Sequence, residues 1–146
     1  MQRIVLPNDV LLPEVTRLLE AGETVTMKVK GNSMLPFITG GRDSVVLRRA
    51  VTLHTGDIVL ARLDDGRYVL HRITAIRGEW FTLMGDGNLY GTETCMRHSI
   101  AGQAIRVIKG SRTIDCTLPT QLRKAKLWKV LLPIRRYLLA IYKRAF

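Results

Sequence analysis

The sequence predicts a mainly β protein: a compact β domain with a short helix before it and a basic amphipathic helix after it. Three observations carry that reading. Short β-prone runs recur from Thr24 to about Val107, separated by turn-forming residues. The apolar spacing is helical on either side of them. The charge is unevenly spread, because +3 of the net +11 belongs to residues up to Asp115 and the remaining +8 lies beyond. The chain therefore divides into an N-terminal helical segment (1–23), a β domain (24–115) and a basic helical tail (116–146).

From about Asp9 to Ala21, Val10, Leu11, Val15, Leu18 and Leu19 fall close to helical spacing, and Gly22 is a natural stop. Strands follow at Val25–Val29, Ser44–Leu47, Asp57–Arg62, Tyr68–Ile73, Trp80–Met84 and Ile100–Ile108. Gly40-Gly41, Thr55-Gly56, Asp64-Asp65-Gly66, Gly78 and Gly85-Asp86-Gly87-Asn88 punctuate them, and Asp65-Gly66 is a hairpin signal. In the tail, from about Gln121, Leu127, Val130, Leu131, Ile134, Leu138, Ile141, Tyr142 and Ala145 gather on one side of a helical wheel. Pro133 should kink or divide that helix.

Composition narrows the function. A chain of 146 residues can bury a core without metal or disulfide support. Two cysteines, Cys95 and Cys116, read as reduced and structural rather than as a secreted disulfide framework. Charges within the first 21 residues interrupt any secretory signal, so the expected compartment is the cytoplasm. The tail cannot span a bilayer, because Lys129, Arg135 and Arg136 would each cost roughly 2.5–3.5 kcal/mol inside it. It suits instead an anionic membrane surface, with Lys126, Lys129, Arg135, Arg136, Lys143 and Arg144 as the contacting bases, or else it packs on the β domain.

Val29-Lys30-Gly31-Asn32-Ser33-Met34-Leu35-Pro36 boxes a hydroxyl between turn-forming residues. A serine becomes a nucleophile when a base takes its proton. His71 is the candidate base, on a strand whose alternation places Val69, His71 and Ile73 on one face and Tyr68, Leu70 and Arg72 on the other. Asp86, in a turn after a strand, is the candidate to hold the imidazole. Read singly, the three are also an ordinary turn serine, a core histidine and an Asx-turn aspartate.

Gly31-Asn32-Ser33-Met34-Leu35-Pro36, then Gly56-Asp57-Ile58-Val59, Val69-Leu70-His71-Arg72-Ile73 and Leu83-Met84-Gly85-Asp86-Gly87-Asn88 resemble, in order, the motifs of the type I signal peptidase and LexA-like serine peptidase superfamily. The resemblance covers residues 24 to 108. It implies a LexA/signal-peptidase-like fold, Ser33 as nucleophile, and His71 where bacterial members have lysine, as in the endoplasmic-reticulum and archaeal signal peptidases. Asp86 matches the aspartate of that type's Gly-Asp-x-Asn box, and Glu93 is an imperfectly spaced match to its second acidic residue. Asn32, Met34 and Pro36 would then flank the oxyanion and the substrate; Gly31 stands where many signal peptidases have a hydroxyl residue. With the basic tail, the resemblance leads to the expectation of a serine peptidase that cleaves a peptide or leader in trans at the inner face of the membrane near a peptide exporter, with no cofactor or metal.

Two other readings stay open at this stage. A LexA-like regulator could cut itself, with Ala21-Gly22 as the favoured dipeptide, and an inactive peptidase fold could bind a peptide or a membrane. The tail's bases and Trp128, Tyr137 and Tyr142 could serve nucleic acid, but its long apolar stripe fits lipid or protein better, so no nucleic-acid partner is expected. A zinc site built on Cys95-x-x-His98 has one ligand pair and is not adopted.

Overall fold

A computed structural model describes the backbone of residues 2–3 and 8–145 and the side chains of residues 12–144. The expected faces of Val10, Leu11 and Ala145 lie outside the described side chains. The strands are β1 (Gln2–Arg3), β2 (Val25–Lys28), β3 (Ser44–Arg48), β4 (Ile58–Arg62), β5 (Tyr68–Arg77), β6 (Trp80–Met84), β7 (Glu93–Met96), β8 (Ile100–Lys109) and β9 (Arg112–Asp115). Helix α1 spans Asn8–Glu20, α2 spans Pro119–Val130 and α3 spans Arg135–Ala145.

The strands form a single sheet in the order β1-β2-β3-β8-β4-β5-β6-β7. Every pairing is antiparallel except β1 with β2. Long β8 organises it. Its first residues pair with β4 and its last with β9, while β3 runs along it from Gln103 to Ile108. One strand thus serves three neighbours, and the sheet curls around it.

Alternation along β5 divides the apolar side chains between two clusters. Tyr68 and Leu70 join Ile58, Leu60, Met27, Met34 and Ile38, under the Val15 and Leu19 face of α1. Val69 and Ile73 join Val59, Ala61, Phe81, Leu83 and Cys95. The faces assigned from sequence are therefore those observed. Helix α1 ends as anticipated at Gly22, whose φ of 86° lets the Gly22 and Glu23 amides return to the Leu19 and Leu18 carbonyls. The β4–β5 hairpin turns at Gly66, φ 88°, where the Leu63 N–H meets the Arg67 carbonyl at 2.7 Å.

Three strands escape the sequence pattern. β1 has two residues, and β7 and β9 have four each with little buried surface, so none shows a readable period. The tail divides where Pro133 predicts: a 3-10 turn over Leu132–Ile134 separates α2 from α3. Its packing face is Trp128 and Leu139, with Leu131, Leu138 and Tyr142 partly buried, against Leu35, Phe37 and Leu89. The tail therefore packs on the β domain, and Arg135, anticipated as a lipid contact, is 4% exposed and faces inward.

Candidate active site

The loop bearing Ser33 joins β2 to β3 and is closed at its base. The Val29 N–H reaches the Asp43 carbonyl at 2.9 Å, and the Gly41 N–H reaches the Val29 carbonyl at 2.8 Å. Asp43 is fully buried and accepts from Lys109 Nζ at 2.6 Å, the Thr39 N–H at 2.8 Å and Arg42 Nε at 3.0 Å. Burial alone would push the Asp43 carboxyl up, but Lys109, Thr39 and Arg42 outweigh it and hold the group below its ordinary value. The two arms of the loop leave no room for a side chain: a Cβ on Gly40 would fall 1.8 Å from the Gly31 carbonyl oxygen. Met34, Leu35 and Ile38 are driven into the core, leaving Asn32 exposed and Ser33 half-buried. Met34 is consequently a core residue rather than a substrate contact, since its side chain is 1% exposed and its Sδ accepts the Asp86 N–H at 3.5 Å. Pro36 lies half-buried in the same loop.

His71 lies on β5 opposite Val59 of β4, and it is 6% exposed. The β5–β6 pairing begins at Arg72 with Met84, the last residue of β6, so His71 lies just beyond it. Glu93, opposite Leu83 on β7, reaches the imidazole. His71 Nδ1 and Glu93 Oε1 lie 2.6 Å apart, an ion pair when the imidazole is protonated, and neither atom has a hydrogen-bond partner among the described residues. Burial pushes the imidazole below its ordinary value, against the opposing pull of Glu93. A neutral ring at pH 7 is the form able to take a proton.

The Gly85–Asn88 turn brings the two parts together. The Gly87 N–H donates to the Ser33 carbonyl at 2.7 Å. A Cβ on Gly85 would stand 2.4 Å from that same carbonyl oxygen, and one on Gly87 would stand 2.6 Å from the Asn32 carbonyl oxygen. The Ser33 peptide thus rests on a glycine turn that directly follows β6, the strand paired with the one that carries His71.

Asp86 does not hold the imidazole, and strand geometry explains why. Arg72 follows His71 and points to the opposite face of β5, and Asp86 meets it there. Arg72 Nε and Nη2 donate to the 3%-exposed Asp86 carboxylate at 2.9 and 2.7 Å. Arg72 Nη1 donates to the Gly56 carbonyl at 2.7 Å, and the guanidinium lies 4.9 Å from the Phe37 ring centroid. The Asp86 backbone carbonyl accepts the Trp128 indole N–H at 2.7 Å. Asp86 is therefore a keystone of the turn, and the carboxylate beside the imidazole is that of Glu93.

Sequence reasoning passed over Arg72, Gly85, Trp128 and Arg135 as parts of the site. Arg72 was within reach of the same alternation that placed His71, since a buried cation needs a carboxylate on its own face. Trp128 and Arg135 carry no local signal, because their partners are 42 and 47 residues away in the chain. A cleft of about 810 Å³ opens between α2 and the β5–β6 strands, bordered by Ile73, Met84, Trp128, Val130, Lys126 and Arg123. It adjoins Asp86 and Arg72 rather than Ser33 and His71. Cys95 faces the core while His98 is exposed, and among the described residues no three His, Cys, Asp or Glu side chains are placed to share a metal ion. Compared with models of known protein families, residues 2–105 match the one described as Peptidase S24-like.

Proposed function

The chain belongs to the Peptidase S24-like family, and we propose that it is a serine peptidase cutting peptides in trans, with Ser33 as nucleophile, His71 as general base and Glu93 as the group that holds the imidazole. The observation that carries this reading is the buried His71–Glu93 pair at 2.6 Å beside the glycine turn that receives the Ser33 carbonyl. His71 Nε2 takes the proton of Ser33 Oγ as that oxygen bonds to the scissile carbonyl carbon, and Glu93 stabilises the imidazolium so formed. The tetrahedral oxyanion is met by main-chain N–H groups of the Ser33 loop, with Asn32 beside them. The carbon–nitrogen bond breaks, the leaving amine takes the proton from His71, and water, deprotonated in turn by His71, releases the acyl group from Ser33.

The histidine base and the paired acid are similar to the endoplasmic-reticulum and archaeal signal peptidases, with Glu93 rather than Asp86 as the working carboxylate. Substrate is an extended peptide or leader supplied by another molecule. Cleavage in trans is supported by the state of Ala21-Gly22, which lies in the closed C-terminal cap of α1, with the Ala21, Gly22 and Glu23 amides bonded to the Arg17, Leu19 and Leu18 carbonyls. A bond held in this way is not presented to a distant serine.

Mass spectrometry of a peptide library incubated with the wild-type protein and with Ser33→Ala tests the proposal. Cleavage that disappears in Ser33→Ala, while its melting temperature stays unchanged, is the expected result. Cleavage that survives the substitution, or no cleavage by either protein, overturns it. Shortening of the protein's own mass in place of peptide cleavage identifies a self-cleaving regulator instead.

A further inference from the structure

The tail has two apolar faces, and the fold uses one. Trp128 and Leu139 are buried against the Ser33 loop, but Leu127, Val130, Leu132, Ile134, Tyr137 and Ile141 remain 37–68% exposed. Leu127 and Val130 lie three residues apart on α2 and Tyr137 and Ile141 four apart on α3, so each helix carries a short exposed apolar stripe, with Ile134 in the turn between them. Among the described residues, six of the ten large exposed hydrophobics lie in this short stretch, so the exposure is concentrated and asks for a partner. Beside the stripe stand the exposed bases Lys124, Arg136, Lys143 and Arg144, while Arg123, Lys126 and Lys129 border the cleft next to α2 and Lys129 Nζ donates to the Thr74 carbonyl at 2.8 Å; no acidic residue follows Asp115.

The chemistry of the partner follows from these two properties. It must accept apolar side chains and present negative charge on both sides of them, over a surface that does not require one straight groove, because the 3-10 turn at Leu132–Ile134 breaks the helix axis. No helix among the described residues is long and apolar enough to cross a bilayer. Tyr137 in the stripe and exposed Tyr90, whose hydroxyl accepts from Arg136 Nη2, are amphipathic rings suited to the level of lipid headgroups. We propose that this face lies on an anionic phospholipid surface, with the apolar stripe in the headgroup–acyl boundary and the bases among the phosphates. The opposite face of the same helices is fixed to the turn beside the site, through Trp128 to the Asp86 carbonyl and Arg135 to the Asn88 carbonyl. Lipid docking therefore holds the Ser33 loop close to the membrane plane, and the peptides it meets are those at that surface. The docking does not rest on peptide cleavage.

Co-sedimentation of the full chain with vesicles of phosphatidylcholine alone, and of phosphatidylcholine containing phosphatidylglycerol, tests this. Binding to the anionic vesicles should be at least about tenfold tighter and should weaken with added salt. Tyr137→Ser with Ile141→Ser should lower it by about tenfold or more, with the melting temperature unchanged, since both side chains are exposed. Lys143→Gln with Arg144→Gln should remove part of the preference for anionic lipid and keep the rest of the binding. The proposal is overturned by equal binding to both vesicle types, by absence of binding, or by variants that bind as the wild type does. It is also overturned if sedimentation velocity shows a dimer that the Tyr137/Ile141 substitutions dissolve, which would assign the stripe to a second copy of the chain.

Discussion

Replacing Glu93 by glutamine removes one charge from the site and almost no volume, so it isolates what the carboxylate does for His71. At the observed 2.6 Å separation, Coulomb's law with an effective dielectric of about 20 sets a ceiling of about 6 kcal/mol on the attraction between Glu93 and an imidazolium. The Glu93 side chain is 22% exposed, so water screens part of that, and the glutamine amide keeps a dipole in place. A net loss of about 3–4 kcal/mol in the transition state is the expected remainder, equal to a fall of about 10²–10³ in kcat/KM. The direction of the pH shift is fixed by the same contact. In the wild type, burial depresses the imidazole below the free value of about 6.5, and Glu93 opposes the depression. Glu93→Gln leaves burial unopposed, so the acid limb of kcat/KM should move to lower pH while the plateau drops. Initial rates on a cleaved peptide from pH 4 to 9, with circular dichroism at each pH, measure both. An acid limb that stays in place or moves upward would refute the pairing, as would a plateau within about threefold of the wild type.

The remaining predictions concern the frame around the pair. Asp86→Asn strands the Arg72 guanidinium in a buried position, so it should cost about 3–5 kcal/mol and lower the melting temperature by roughly 10 °C, with a smaller shift of the acid limb than Glu93→Gln produces. Gly85→Ala puts a methyl 2.4 Å from the Ser33 carbonyl oxygen; the loop must move, and peptide cleavage should fall by about 10²-fold, read against an unchanged far-ultraviolet spectrum. Burial pushes the Cys116 thiol up to about 11 and raises Cys95 also, so neither should be alkylated by iodoacetamide at pH 8 until the chain is unfolded, as intact mass will report. Stability should decline as pH falls below about 6.5 and toward the depressed folded value of His71, because the unfolded chain binds that proton more readily; a denaturant series across pH 5 to 7 measures the slope.

Periodic elements were legible in the sequence because their burial is periodic. Trp80–Met84 alternates between core and surface and was bounded correctly at both ends, and the helix stop at Gly22 and the tail break at Pro133 follow from backbone chemistry alone. Residues 93–96 were not read as a strand, since Cys95 is the one buried residue among the four and two-residue periodicity needs more than that. The site divided in the same way. Ser33 and His71 sit in motifs that a linear reading can pick out, and the contact of the Ser33 carbonyl with the Gly87 N–H is added by the fold. Which carboxylate lies beside His71, Glu93 rather than Asp86, depends on the face of β5 each one meets, a fact of register between β5, β6 and β7 that a linear motif does not contain. Arg135 was misplaced for a related reason. A helical wheel assigns a base to the wet side by its charge, while the fold buries it over the Trp128 ring, 4.9 Å from the centroid, with Nη2 on the Trp128 carbonyl.

The hydrogen bonds from the tail to the Asp86–Asn88 turn also bear on how the molecule comes into being. Domains acquire structure as the chain is synthesised, N-terminal parts first, yet the Asp86 carbonyl waits for residue 128 and the Asn88 carbonyl for residue 135. Until those residues are made, the turn that carries the Ser33 peptide lacks both the two donors and the cover that Trp128 and Leu139 provide. The support of the turn is therefore completed only by residues from Trp128 onward, near the end of synthesis.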